Sequence, residues 1–274
     1  MTGLQTRTLG RTGLPVTAIG YGAMELRGAR ARSPRPIPAG DASHVLHAVL
    51  DAGINFIDTS IDYGQSEQLI GQAVGARRDQ YILATKAGCQ WHVDVTRYPD
   101  GPVPHDFSAA HIRAGLERSL RMLRTDYVDV LQLHISPSLD VIRDEDVIAT
   151  LRALRDEGKV RFIGSSSTIP NIWDHLDLDV FDTLQIPYSA LDRSHEEAIA
   201  VAHRQDVGVI VRGGVAKGGP RANRPGWVNV WEAWDATGLD DLLEPGQSRV
   251  EFVLRYTLGH PGVSTIIVGT ASVA

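Results

Sequence analysis

Short apolar runs alternate with helix-period segments along almost the whole chain, and that alternation constrains the fold more than any other feature. Runs too short for helices and followed by amphipathic stretches read as buried parallel strands joined by crossover helices. The strands are expected at residues 16–21, 55–59, 81–85, 127–133, 160–163, 181–186, 207–211 and 265–268. An N-terminal hairpin precedes them, from Thr6 to Leu9 and turning through Gly10 to Gly13. Right-handed crossovers between so many parallel strands close into a barrel, and such barrels run to about 250 residues as one domain. With 274 residues, the chain is expected to be a single-domain (β/α)8 TIM barrel. A dinucleotide-binding doubly wound sheet is the competitor, but no G-x-G-x-x-G follows an early strand.

Helix signals fill the gaps. Val45, Leu46, Val49 and Leu50 lie at helical spacing in residues 43–52, with Gly53 as a stop. Ser66 opens a helix that buries Leu69, Ile70, Ala73 and Val74. Ser108 can cap a helix whose narrow face is Ile112, Gly115, Leu116, Ser119, Leu120 and Leu123. Further helices are expected over 144–157, with acidic residues in the first turn, and from Pro170. Capping boxes of Ser194 with Glu197 and Ser248 with Glu251 open two more. Long Gly- and Pro-rich loops follow the third strand (87–107) and the seventh (212–247). Nothing is left after the eighth strand for an eighth helix, which is expected to be absent from this chain.

Charge and composition exclude several classes of function. A net charge of −6 argues against a general nucleic-acid-binding surface. No run approaches the roughly 18 apolar residues of a membrane span, and the N-terminus lacks the apolar core of a signal peptide. Cys89 is the only cysteine, which excludes an intrachain disulfide and a thiolate cluster and suits a reducing cytoplasm. No H-x-H or H-E-x-x-H spacing occurs, so no metal is expected.

Polar residues at the C-terminal ends of barrel strands are where such folds carry chemistry. Asp58, Lys86 and His134 each end an apolar run, and Tyr63 follows closely after the first of them. Lys86 is one of only three lysines, with Lys159 and Lys217. The four could therefore share one pocket although they span nearly eighty positions. A phenol such as Tyr63 is neutral at pH 7 and can polarise a carbonyl, but its ordinary pKa of roughly 10 makes it a slow proton donor. A neighbouring ammonium, Lys86, lowers that pKa, Asp58 holds the lysine, and His134 orients the carbonyl oxygen or relays the proton.

The segments Gly53 to Gly64, Thr85-Lys86, Leu131 to His134, Gly158 to Ser167, Gln185 to Tyr188 and His260 to Gly269 occur in an order that resembles the aldo-keto reductase family. The loop ending in Asp106-Phe107-Ser108 is most similar to its bacterial sugar-dehydrogenase-like branch. The resemblance implies that Asp58, Tyr63, Lys86 and His134 are the family's catalytic tetrad. It implies NADPH as cofactor, with NADH as an alternative, and a small carbonyl or sugar substrate. It places Ser166, Ser167 and Gln185 on the nicotinamide carboxamide. The family more often has Asn where Ser167 stands, and many relatives carry a tyrosine where this chain reads Val211-Arg212-Gly213-Gly214. Arg212 can stack on the ring or pair with a phosphate, Gly213 permits close backbone approach, and Lys217 is a further phosphate contact. Substrate contacts are expected from the loops: Trp91, His92 and Trp227, with Trp231 and Trp234 as either pocket lining or loop anchors. A non-catalytic barrel that binds nicotinamide and serves a regulatory role is the alternative function.

Overall fold

The computed structural model describes residues 3–28, 37–93, 97, 103–215 and 230–273. Its centre is a closed barrel of parallel strands: β3 (Ile19–Gly22), β4 (Phe56–Asp58), β5 (Ile82–Ala87), β6 (Val128–Leu133), β7 (Val160–Ser166), β8 (Thr183–Pro187), β9 (Gly208–Arg212) and β10 (Thr265–Val268). The barrel closes where β10 pairs with both β9 and β3, Ile266 standing beside Val211 and Ile19. The expected eight-strand barrel is thus the observed fold. Strands buried on both faces explain the unbroken apolar runs, because inward side chains fill the barrel and outward ones meet the helices.

A two-stranded hairpin, β1 (Thr6–Thr8) and β2 (Pro15–Thr17), covers the N-terminal end of the barrel. Leu9, Leu14 and Val16 are buried there against Phe56, Ile82, Val130 and Ile210. Val16 and Thr17 therefore belong to the hairpin, and the first barrel strand starts only at Ile19. The apolar run is continuous in sequence because one half of it plugs the barrel and the other half lines it. With that end plugged, the opposite end is left for ligands.

The helices pack outside: α1 (Ala39–Asp51), α2 (Ser66–Val74), α3 (Ala109–Leu123), α4 (Leu139–Asp144), α5 (Val147–Asp156), α6 (Ile172–Asp177), α7 (Glu196–Arg204), α8 (Val230–Thr237) and α9 (Arg249–Gly259). Ser108 and Ser248 cap α3 and α9, accepting from the backbone N–H of His111 and Glu251. The α3 face of Ile112, Leu116, Leu120 and Leu123 is buried as its spacing requires. Each such side chain contributes about 1.5–3 kcal/mol.

Three expectations need correction. The helix expected over 144–157 begins only at Val147, as α5; Asp146, with φ 49°, separates it from the short helix α4, which ends at Asp144. The acidic residues therefore sit in the break and not in a first turn. Ser194 does not cap α7; its Oγ donates to Asp192 Oδ1 at 2.7 Å instead, and His195 occupies the cap. The 212–247 segment is not wholly loop, since it contains α8. Among the described residues no helix follows β10, and no helix is long and apolar enough to cross a membrane.

Candidate active site

Asp58 is the last residue of β4, Lys86 lies near the end of β5, and His134 follows β6 directly. Parallel register places these ends side by side: Asp58 pairs with Ala84, and Lys86 with Gln132. Lys86 Nζ donates to Asp58 Oδ2 and to the Thr59 carbonyl, both at 2.7 Å, with both side chains almost fully buried. The other carboxylate oxygen, Asp58 Oδ1, accepts from Gln132 Nε2 at 2.9 Å and Gln185 Nε2 at 2.8 Å. Asp58 is thus held by an ammonium and two amides from three different strands. Lys86 Nζ stands 5.0 Å from the centre of the Tyr63 ring, and Tyr63 meets His134 edge to face at 6.2 Å between ring centres.

The electrostatics follow from burial and from these pairs. Burial works against the Lys86 charge, but Asp58 beside it more than compensates and raises its pKa above the ordinary value. Burial pushes the Tyr63 phenol up to about 12, with Lys86 pulling it down and Asp58 and Asp62 adding to the rise. The expectation that Lys86 lowers this pKa holds for the direction of its own effect. Desolvation is the larger effect, so the phenol stays protonated well above neutral pH. Burial also drives the His134 pKa down, so its ring is neutral at pH 7 and orients a hydrogen bond without supplying a proton.

His134 is held from behind. Its Nδ1 lies 2.8 Å from Cys89 Sγ, and burial keeps that thiol protonated. An S–H donated to Nδ1 leaves the ring proton on Nε2. Asp62 Oδ1, bonded to Ser60 Oγ, lies 3.9 Å from the same nitrogen.

A cavity of ≈ 490 Å³ opens at this end of the barrel, lined among others by Asp58, Tyr63, His134, Ser166, Gln185, Arg212 and Gly213. That volume suits a ligand of cofactor or drug size. Arg212 Nε is buried with no hydrogen-bond partner among the described residues, a donor placed for an anion or a ring substituent.

Other expected contacts fall elsewhere. Ser167 is fully buried and its Oγ is 2.6 Å from His175 Nδ1, on the side facing α6. Ser165 reaches the same nitrogen. Strand alternation sends these two outward and leaves Ser166 facing the cavity. Trp91 stacks on His111 at 4.5 Å, with His92 edge-on beside it, and neither lines the cavity. Trp231 and Trp234 lie on α8 and anchor it against Val253 of α9, and Trp234 Nε1 donates to Asp240 Oδ1. Lys217 and Trp227 lie outside the described residues.

Sequence reasoning passed over Gln132, Cys89, His105 and Asp62. Gln132 was findable, since it lies two residues before His134 on one strand and so shares its inward face. Nothing local in the sequence pairs Cys89 or His105 with His134.

A model of the Aldo/keto reductase family matches residues 18–274. L-galactose dehydrogenase from Arabidopsis thaliana is 32% identical over 292 residues, covering 100% of this chain and 86% of that protein. The holo form of the aldo-keto reductase AKR11C1 from Bacillus halodurans superposes with a TM-score of 0.83 at 33% identity, covering 98% of this chain and 87% of that one. A protein named "Probable voltage-gated potassium channel subunit beta" from Oryza sativa subsp. japonica is 27% identical, covering 97% of this chain and 87% of its own length.

Proposed function

As a member of the aldo/keto reductase family, this chain is an NAD(P)-dependent oxidoreductase, and we propose that it interconverts a carbonyl and an alcohol with Tyr63 as general acid and base. The observation that carries the reading is the buried Asp58–Lys86 pair beneath a protonated Tyr63 and beside a neutral His134, with Asp58, Tyr63 and His134 lining one cavity. When bound, the nicotinamide supplies or takes the hydride. Ser166, Gln185, Arg212 and Gly213 are the residues that would hold it, and Arg212 Nε, buried without a partner among the described residues, fits a group rich in acceptors. NADPH is the cofactor the family resemblance implies, with NADH as the alternative.

In the reductive direction, Tyr63 and His134 Nε2–H donate to the substrate carbonyl oxygen and polarise it. Tyr63 then gives up its proton as charge develops there. Lys86 stabilises the phenolate left behind, and Asp58 keeps the ammonium charged and in place. In the oxidative direction the Tyr63 phenolate takes the proton back. Substrates are small aldehydes, ketones or sugars, and similarity to a protein named L-galactose dehydrogenase supports including sugars.

Turnover of NADPH and of NADH, followed by absorbance with a panel of aldehydes, ketones and aldoses, tests the reading. Turnover with wild type that falls by about 10²–10⁴-fold in Tyr63→Phe, with nicotinamide binding unchanged, is expected. Full activity in that variant removes Tyr63 from the role. Similarity to a protein named as a potassium channel β subunit favours a second reading, a regulatory barrel that binds nicotinamide without turnover. Saturable cofactor binding with no turnover of any substrate favours that one.

A further inference from the structure

Beside the cavity, sharing His134 with its lining, three metal-ligating side chains converge. One ligand atom each from Cys89, His105 and His134 lie within 4.8 Å of one another. We propose that Cys89 Sγ, His105 Nε2 and His134 Nδ1 form a binding site for Zn2+ or a similar borderline-soft divalent cation, and that occupancy suppresses the reductase.

The site is built by backbone pairing. Cys89 and His105 form an antiparallel bridge at the base of the loop after β5, and Asp106 N–H donates to the Gly88 carbonyl at 2.8 Å. Gly88 makes this closure possible: its φ is +97°, and a Cβ there would stand 2.3 Å from the Phe107 ring. His134 enters from the end of β6, its ring centre 5.5 Å from that of His105.

His105 carries the strongest signal. Its Nδ1 lies 2.7 Å from the Val103 carbonyl, which can only accept, so Nδ1 bears the proton. The lone pair is therefore on Nε2, which is buried and has no hydrogen-bond partner among the described residues. A histidine that donates one N–H to a backbone carbonyl and leaves the other nitrogen bare has the arrangement of a metal ligand. His134 Nδ1 faces Cys89 Sγ at 2.8 Å, so a single thiol proton is what lies between these two ligand atoms. Binding replaces that proton: Cys89 releases it to solvent, and its thiolate, with the two imidazole nitrogens, ligates the ion. One sulfur and two nitrogens select Zn2+ over Mg2+ or Ca2+, which require oxygen ligands. A three-residue set leaves a position for water.

Suppression follows from geometry and rests on the reductase reading. Nitrogen and sulfur ligands at about 2.1 and 2.3 Å from a tetrahedral ion stand about 3.6 Å apart. Opening the 2.8 Å contact to that separation moves Cys89 and His134 apart by about 0.8 Å. A shift of that size at a group that orients the carbonyl is enough for a loss on the order of 10²-fold.

The test uses the full chain without a histidine tag, freed of metal by chelator. Co2+ is added as an optical probe, then Zn2+ as a competitor. Expected are one equivalent of Co2+ with thiolate-to-metal charge-transfer absorption, its displacement by Zn2+, and loss of the band in Cys89→Ser. His105→Ala should weaken binding at least tenfold while leaving the metal-free rate unchanged. No charge-transfer band, or equal binding by both variants and wild type, overturns the site. Full occupancy with an undiminished rate overturns the suppression. The optical titration needs no substrate, so a chain with no turnover before metal is added counts against the reductase reading alone.

Discussion

Replacing Lys86 by Met gives the sharpest physical test of how this site is held together. Lys86 is 2% exposed and Asp58 1%, and the ammonium is within 2.7 Å of both the Asp58 carboxylate and the Thr59 carbonyl. Removing one member of a buried pair costs about 3–5 kcal/mol, because the remaining charge stays desolvated without its counter-ion. Here Asp58 Oδ1 keeps its bonds from Gln132 and Gln185, so the lower end, about 3 kcal/mol, is expected. At about 2–4 °C per kcal/mol for a chain somewhat shorter than this, the melting temperature falls by roughly 6–12 °C. The double variant Asp58→Asn/Lys86→Met removes both charges, and its loss should be smaller than the sum of the two single losses by at least about 1 kcal/mol. Calorimetry of wild type, both single variants and the double variant measures this directly. Stability is the readout because all three variants should lose turnover. Additive losses, within about 0.5 kcal/mol, would refute the claim that the pair acts as one buried unit.

Other perturbations separate Tyr63 from its surroundings. Lys86 pulls the Tyr63 pKa down, so any residual alcohol oxidation by Lys86→Met should need a higher pH than in wild type; an unshifted profile would end Lys86's tuning role. Burial pushes the Tyr63 pKa in the folded chain up to about 12, above the ordinary tyrosine value of about 10. Its contribution to stability is therefore complete below pH 10 and is lost as pH rises through 12; Tyr63→Phe should show a shallower alkaline loss in urea titrations, and equal slopes would contradict the shift. Gly10→Ala puts a Cβ 2.2 Å from the Gly208 backbone nitrogen at φ +47°. It should cost about 1–3 kcal/mol in denaturant midpoint while the folded chain keeps its rate per site; an unmoved midpoint would show that the hairpin does not need its seat on the barrel. Trp234→Ala should cost about 3–5 kcal/mol by the same measurement, since that ring is fully buried with Trp231 and Val253; a loss below 1 kcal/mol, roughly the scale of a surface change, would argue that α8 is not anchored there.

Much of the barrel was legible because its signals are local. Thr265 to Val268 was bounded correctly because β-branched residues crowd into a short run between the turn at Pro261-Gly262 and Gly269. Ser108 and Ser248 were readable as caps because the bond they make spans three residues. Ser194 failed because a nearer acceptor, Asp192, took its hydroxyl. The start of α5 was placed three residues early because acidic residues suit a first helical turn, whereas Asp146 takes φ 49° and ends the turn before the helix begins. Val16 was misassigned because the plug and the barrel lining are equally apolar.

The sequence by itself determined the order of strands and helices, and with it the end of the barrel where Asp58, Lys86 and His134 emerge. Register does this work: parallel neighbours carry strand ends to one rim, whatever lies between them in the chain. Only the tertiary structure decided which way each side chain faces and what it meets across the barrel. Ser166 and Ser167 differ by a single step of pleat, yet one lines the cavity and the other binds His175. Gln132 and Gln185 reach Asp58 from strands 74 and 127 residues away. Cys89, His105 and His134 meet only because a bridge closes one loop beside another strand's end. Desolvation likewise depends on the packed whole, which is why Tyr63 titrates above its ordinary range even with an ammonium beneath its ring.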